Sequence, residues 1–232
     1  MKDLMIVMPV YNERECILRV INSWLEVIAN LNIDCRILVL NDGSDDGTRK
    51  ELEVFEDDSR VQIVDKDNSG HGPTLLMGYK IATEEADWVF QCDSDNEMSP
   101  ECFGKLWEQK DKYDALFGAR VNRIQSNERE FITKCSRLTV EILFGSGVKD
   151  VNTPYRLIRS RLLNKIITQV PENTFAPNVI ISGAITKSKQ RILEIEVPHE
   201  PRKTGESSIT RIKLWKHVIN PFLQILVCRP RI

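Results

Sequence analysis

The 232-residue chain lacks the marks of several large protein classes. Its six cysteines (Cys16, Cys35, Cys92, Cys102, Cys135 and Cys228) form no CxxC pair and follow no zinc or disulfide spacing. Scattered in this way, they read as reduced thiols of a cytoplasmic protein. No stretch supplies the roughly twenty predominantly apolar residues that a membrane span needs. The start, MKDLMIVMPVYNE, has one early lysine and meets Pro9 too soon for a signal peptide. Net charge is only −2, so no global field draws the chain to nucleic acid. Internal repeats, low-complexity tracts and interdomain linkers are absent as well.

What is present suits one globular domain, with 41% hydrophobic residues and enough chain for a sizeable core. Leu4 to Met8 is an apolar run without alternation, as a strand buried on both faces would be. From Asn12 to Leu31 a helix is expected, with Ile17, Ile21, Leu25 and Ile28 on one face. CRILVLND (35–42) reads as a second strand, VQIVD (61–65) as a third and DWVFQCD (87–93) as a fourth. Helices are expected from DDGTRKELEVFE and GPTLLMGYKIATEEA between them. Strand and helix alternating in units of about thirty residues predict an α/β protein, with a mixed, mostly parallel sheet flanked by helices. Further on, Ser99-Pro100-Glu101 is a helix start, ALFGAR (115–120) and RILEIEVP (191–198) are strands, and helices are expected at 131–144, 161–169 and 176–187.

In such sheets ligands bind beyond the carboxyl ends of the strands. Three motifs fall there. WVFQCDSDNEMSP ends a strand in Asp93, Asp95 and Glu97 at alternating positions. Carboxylates so crowded raise one another's pKa unless a cation compensates, and Mg²⁺ or Mn²⁺ is the natural partner. A polar loop with Asx turns is the alternative for this short pattern. VMPVYNERE (7–15) offers Tyr11 to stack on a base and Glu13 to accept a hydrogen bond. LVLNDGSDDGT (38–48) places Asp42 where a base edge or ribose hydroxyl could be held. His71, in NSGHGP, reads as part of a glycine-rich turn beside that site rather than as a base.

Taken together, the order PVYNE, NDGSxDGT, NSGHGP, QCDSD resembles the family 2 glycosyltransferases of the GT-A (Rossmann-like) fold. FGARVNR (117–123), VKDVNTPYRLIRSRLL (148–163) and EVPHEPRKTGESSI (196–209) are similar to its polyprenyl-phosphate branch, typified by dolichol-phosphate mannose synthase. The resemblance implies a nucleotide-sugar donor bound by Pro9, Tyr11, Glu13, Asp42 and Gly72, with Asp93 beside it. It implies Mg²⁺ or Mn²⁺ on Asp95, assisted by Asp93 and Glu97, the last standing where the branch usually has Gln. Arg120 and Arg202 match phosphate-gripping arginines, for which a planar fork is suited. Arg123 and Arg137 are further candidates. The sequence departs from the branch at Thr153-Pro154-Tyr155-Arg156, usually Ser-Gly-Phe-Arg. It departs again at Gly205-Glu206-Ser207-Ser208, where a phosphate-binding lysine is missing.

The implied reaction is inverting transfer of a sugar to a polyprenyl phosphate, an acceptor that is already an anion and needs no base. If the acceptor is instead a saccharide hydroxyl, a base is required, and Asp150 matches the family's base position. A non-catalytic nucleotide-binding module is the third reading. The expected organisation is a catalytic domain over 1–210 and a basic, partly apolar helix over 211–232. From His199 onward seven Lys/Arg face two Glu. That tail could form a core or dimer helix, lie on the inner face of a membrane, or begin a longer span. His199 and His217 receive no role.

Overall fold

The computed structural model describes residues 1–121 and 147–199, together with Leu138, Glu141, Ile142, Phe144 and Gly145. Arg123, Arg137, Arg202, the Gly205–Ser208 stretch and the 211–232 helix lie outside the described residues.

A seven-stranded sheet organises the chain, in the spatial order β3-β2-β1-β4-β6-β5-β7. Its strands are β1 Lys2–Val10, β2 Cys35–Asp42, β3 Val61–Lys66, β4 Ala86–Gln91, β5 Ala115–Val121, β6 Arg156–Arg159 and β7 Ile192–Pro198. β1 pairs in parallel with both β2 and β4, β2 with β3, and β5 with β7. Only β6 runs the other way, wedged between β4 and β5. The helices are α1 Ile17–Asn30, α2 Thr48–Leu52, α3 His71–Glu85, α4 Phe103–Trp107, α5 Ser160–Ile167 and α6 Pro177–Lys187.

The unbroken apolar run of β1 has a simple cause. Leu4, Ile6 and Met8 point to one face, where α1 buries Ile17, Val20, Ile21, Trp24, Leu25 and Ile28. Met5 and Val7 point to the other face, where Leu75, Leu76 and Tyr79 of α3 pack with α5 and α6. A strand covered on both sides has no position for a polar residue. Gly78 lets α3 lie close to the sheet, because a Cβ there would sit 2.5 Å from Val7 Cγ1. Among the described residues, no helix is long and apolar enough to cross a membrane.

Three local expectations are corrected. The first helix begins at Ile17, not Asn12. Residues 12–16 turn instead, with Asn12 at φ +56°, because the 44–48 loop competes for their backbone. The Asn12 N–H donates to Ser44 Oγ and the Glu13 N–H to Thr48 Oγ1. β4 stops at Gln91, so Asp93 lies two residues beyond the ladder. Finally β6, within the 148–163 segment, was not expected as a strand at all. It is four residues long and begins and ends in arginine, so no apolar pattern announces it.

Candidate functional site

The chain lays β1, β2 and β3 outward in one direction, then returns to place β4 on the other side of β1. The order therefore reverses at β1/β4, the crevice where open α/β sheets bind ligands. Tyr11 and Glu13 follow β1, Asp42 ends β2, and Asp93 follows β4. Three neighbouring strands about 4.8 Å apart thus bring these groups onto one rim. β5 runs in the same sense and adds Arg120, while β7 adds His199 just past its end.

A small pocket at this rim is lined by Asp93, Asp95, Glu97, Arg120, Tyr155 and His199, among others. The loop that carries the acids is held at several points. The Glu97 N–H donates to Asp95 Oδ1 at 3.1 Å, an Asx turn, with Asn96 in the left-handed region at φ +57°. Ser99 caps the next turn through the Glu101 N–H, as the Ser-Pro start predicts. The Tyr155 hydroxyl donates to Ser99 O at 3.1 Å and the Cys16 thiol to Ser94 O at 3.4 Å. His199 pairs by a bridge with Met98, and its Nε2 lies 2.8 Å from Glu97 Oε2. Glu97 thus has the partner its sequence neighbourhood lacked. The two residues are 102 positions apart, so no local pattern could have paired them.

Asp93 is the electrostatically exposed member of the group. Its Oδ1 is shut off from solvent with no hydrogen-bond partner. Burial, then repulsion from Asp95, pushes its carboxyl up to about 7, although Arg120 pulls the other way. A carboxylate with an orphan oxygen beside a second carboxylate is a pair of hard donors. That suits a divalent ion held by one or two carboxylates, with a substrate's phosphates completing its shell. Among the described residues no cluster of three His, Cys, Asp or Glu side chains forms a ready-made metal cage.

Arg120 and Asp150 meet each other. Nε donates to Asp150 Oδ2 at 2.7 Å and Nη2 to Oδ1 at 2.9 Å. Burial would lower the arginine's pKa, but this fork-on-fork pairing outweighs it and raises it.

Beyond the end of β1, Tyr11 is exposed and Glu13 is buried, with Cys16 Sγ 3.1 Å from Glu13 Oε2. Pro9 lies within β1, paired with Leu40. Asp42 accepts from the Ser69 and Gly70 N–H groups at 2.9 Å and from Lys66 Nζ. Burial alone would raise its carboxyl, but these donors hold it below the usual range. In the described structure Asp42 therefore ties the turn that begins α3. Gly72, inside that turn, has a packing reason to be glycine: a Cβ would sit 2.1 Å from the Thr174 carbonyl oxygen.

One residue of the site's foundation gave no sequence signal of its role. Arg156 is fully buried. Its Nε and Nη2 donate to Thr153 O at 2.9 and 2.6 Å, Nη2 also reaches Val151 O, and Nη1 donates to Asn178 O at 3.1 Å. It lies over the Phe117 ring. Its charge sits beneath Asp93 and Asp150, and its carbonyl partners fix the 151–153 turn next to Asp150.

This sheet, with its acidic rim at the reversal point, is a GT-A fold. The chain belongs to glycosyl transferase family 2, whose model matches residues 5–174. A curated relative, the undecaprenyl-phosphate 4-deoxy-4-formamido-L-arabinose transferase of Proteus mirabilis (strain HI4320), is 26% identical over 227 residues. That match covers 96% of this chain and 66% of the relative, so the chain spans slightly less than two thirds of its length. Among solved structures, glucosyl-3-phosphoglycerate synthase from Mycobacterium tuberculosis with Mn²⁺, UDP and phosphoglyceric acid superposes with TM-score 0.73 at 16% identity, covering 98% of this chain and 78% of that one. S. aureus TarS 1-349 gives 0.61 at 19%, covering 97% and 65%.

Proposed function

We propose that the protein transfers a sugar from a nucleotide sugar to a polyprenyl phosphate, with inversion at the anomeric carbon and with Mg²⁺ or Mn²⁺. The observation that carries this is the strand-end rim itself. It sets Tyr11, Glu13 and Asp42 on the same rim as Asp95 and Asp93, and Asp93 has one oxygen buried without a partner. Support comes also from the Proteus relative's name and from structural neighbours solved with Mn²⁺ and UDP-glucose.

Asp95 and Asp93 would hold the metal, which when bound neutralises charge on the departing diphosphate. Tyr11 and Glu13 would orient the base and ribose, with Asp42 fixing the turn against which they sit. Glu97, kept in place by His199, would face the same ion or its water. Arg120 would stand over the acceptor phosphate, oriented by Asp150. Such an acceptor attacks as an anion, so no group need remove a proton. The geometry favours it over a saccharide hydroxyl, because both Asp150 oxygens already accept from Arg120.

The test is formation of a sugar-phosphate-lipid from UDP- or GDP-sugars and undecaprenyl phosphate. Product that requires the metal, and that fails in Asp95→Ala, supports the proposal. Undiminished product with EDTA present overturns it.

A further inference from the structure

The opposite rim of the sheet holds a groove of about 870 Å³, within the range of small-molecule sites. It is formed where β1 and β4 begin and β6 ends, so the thickness of the sheet separates it from Asp93 and Asp95. Nothing in the transfer reaction uses it.

Its chemistry is organised around the start of α5. The first N–H groups of this eight-residue helix have no side-chain cap, and no acid sits in its first turn. Ser160 opens the helix, lines the groove and is only 6% exposed, yet its Oγ has no hydrogen-bond partner. A buried hydroxyl left unpaired costs free energy unless a ligand satisfies it. Arg159 and Arg161 flank it. Arg159 stacks on Trp88 at 4.6 Å, and its Nε is likewise buried without a hydrogen bond, although Asp114 is 3.4 Å away. Lys110 stands over Trp107 at 4.9 Å on the facing wall. Backbone N–H groups, a helix dipole, the exposed Arg161 and an idle hydroxyl together suit an anion, beside an Arg159 whose Nη2 already donates to Lys110 O at 3.4 Å.

The groove is also lined by Asp3, Asp87 and Asp111, the last 3.3 Å from Lys110 Nζ. Carboxylates there repel a ligand that is anionic throughout, but accept hydrogen bonds from hydroxyls. We propose that this groove is a second ligand site for a hydroxyl-bearing phosphate monoester, its phosphate at the amino end of α5 and its hydroxyls toward the three acids.

The experiment uses the full chain at constant ionic strength, with inorganic phosphate and glucose 6-phosphate as probes and calorimetric titration as the readout. Saturable binding is expected for both, tighter for the sugar phosphate. Arg161→Gln changes an exposed residue and should fold normally; it should weaken both probes about tenfold, the worth of one charge-assisted bond. Ser160→Ala, which removes one neutral hydroxyl, should weaken them by about fivefold. Neither variant should alter thermal stabilisation by UDP. The proposal is overturned by three results: no saturable binding, binding unchanged in Arg161→Gln, or binding displaced by UDP or lost in Asp95→Ala. The last would place the phosphate at the donor rim instead.

Discussion

The two rims of this sheet are built from the same strands and carry opposite chemistry. At the carboxyl rim, acids crowd together and cations are already engaged: Arg120 on Asp150, Lys66 on Asp42. At the amino rim, cations cover indole faces and a helix start is left uncapped. The strand direction explains part of this. Parallel strands leave all their carboxyl ends on one side, where loops can project several acids toward one ion. β6, running backwards, sends its first arginine under the acidic rim and its last to the opposite one. The difference teaches that one short reversed strand can send an arginine toward each rim.

The comparison can be broken most severely at Asp95. Asp95→Ala should reduce sugar transfer about a thousandfold, as removal of a group that stabilises developing charge does. Steady-state assays on the lipid acceptor would show it. If the variant keeps its rate, the acidic rim is not the reaction centre.

Next is the cation under that rim. Arg156→Met leaves several buried carbonyl oxygens without donors and should destabilise the fold by about 3 kcal/mol, read from urea unfolding. Arg156→Lys should recover little, since one ammonium cannot reach the same carbonyls.

The third test concerns pH. Asp93 is raised in the folded state, so the native protein holds its proton more tightly than the unfolded chain does. Without metal, stability should therefore fall as pH rises from the ordinary carboxylate range near 4 through about 7. Asp93→Asn should flatten that decline in thermal melts, and Mn²⁺ should offset it above pH 7. A wild-type melt independent of pH across this window would contradict the placement of Asp93.

The smallest effect is expected at Asp150. If it only orients Arg120, Asp150→Asn should raise KM for the acceptor about tenfold and spare kcat. A fall in kcat of a hundredfold or more would indicate a general base and a hydroxyl acceptor.

Much of the β1–β2 half of the fold was legible because its signals are local. β2 matches CRILVLND residue for residue, and Tyr11, Glu13 and Asp42 announce themselves at strand ends. The start of α1 is not legible in the sequence, because capture of the Asn12 and Glu13 amides by the 44–48 loop is a tertiary event. The Glu97–His199 and Arg120–Asp150 pairs join residues far apart in sequence, and only the sheet order brings them together. Arg156 looked like any arginine in a polar segment until β6 proved to be a strand.

β6 also determines how the polypeptide could be divided. Among the described strands it alone joins β4 to β5. Cleavage between residues 122 and 146 would give a front fragment with four parallel strands, ending in an unpaired β4 edge and a detached β5. The rear fragment would hold the missing strand. Open edges of this kind recruit any extended segment and favour aggregation when left alone. The two pieces should therefore be poorly behaved separately and complement each other when mixed, so that restored pairing across β6 would report their proximity.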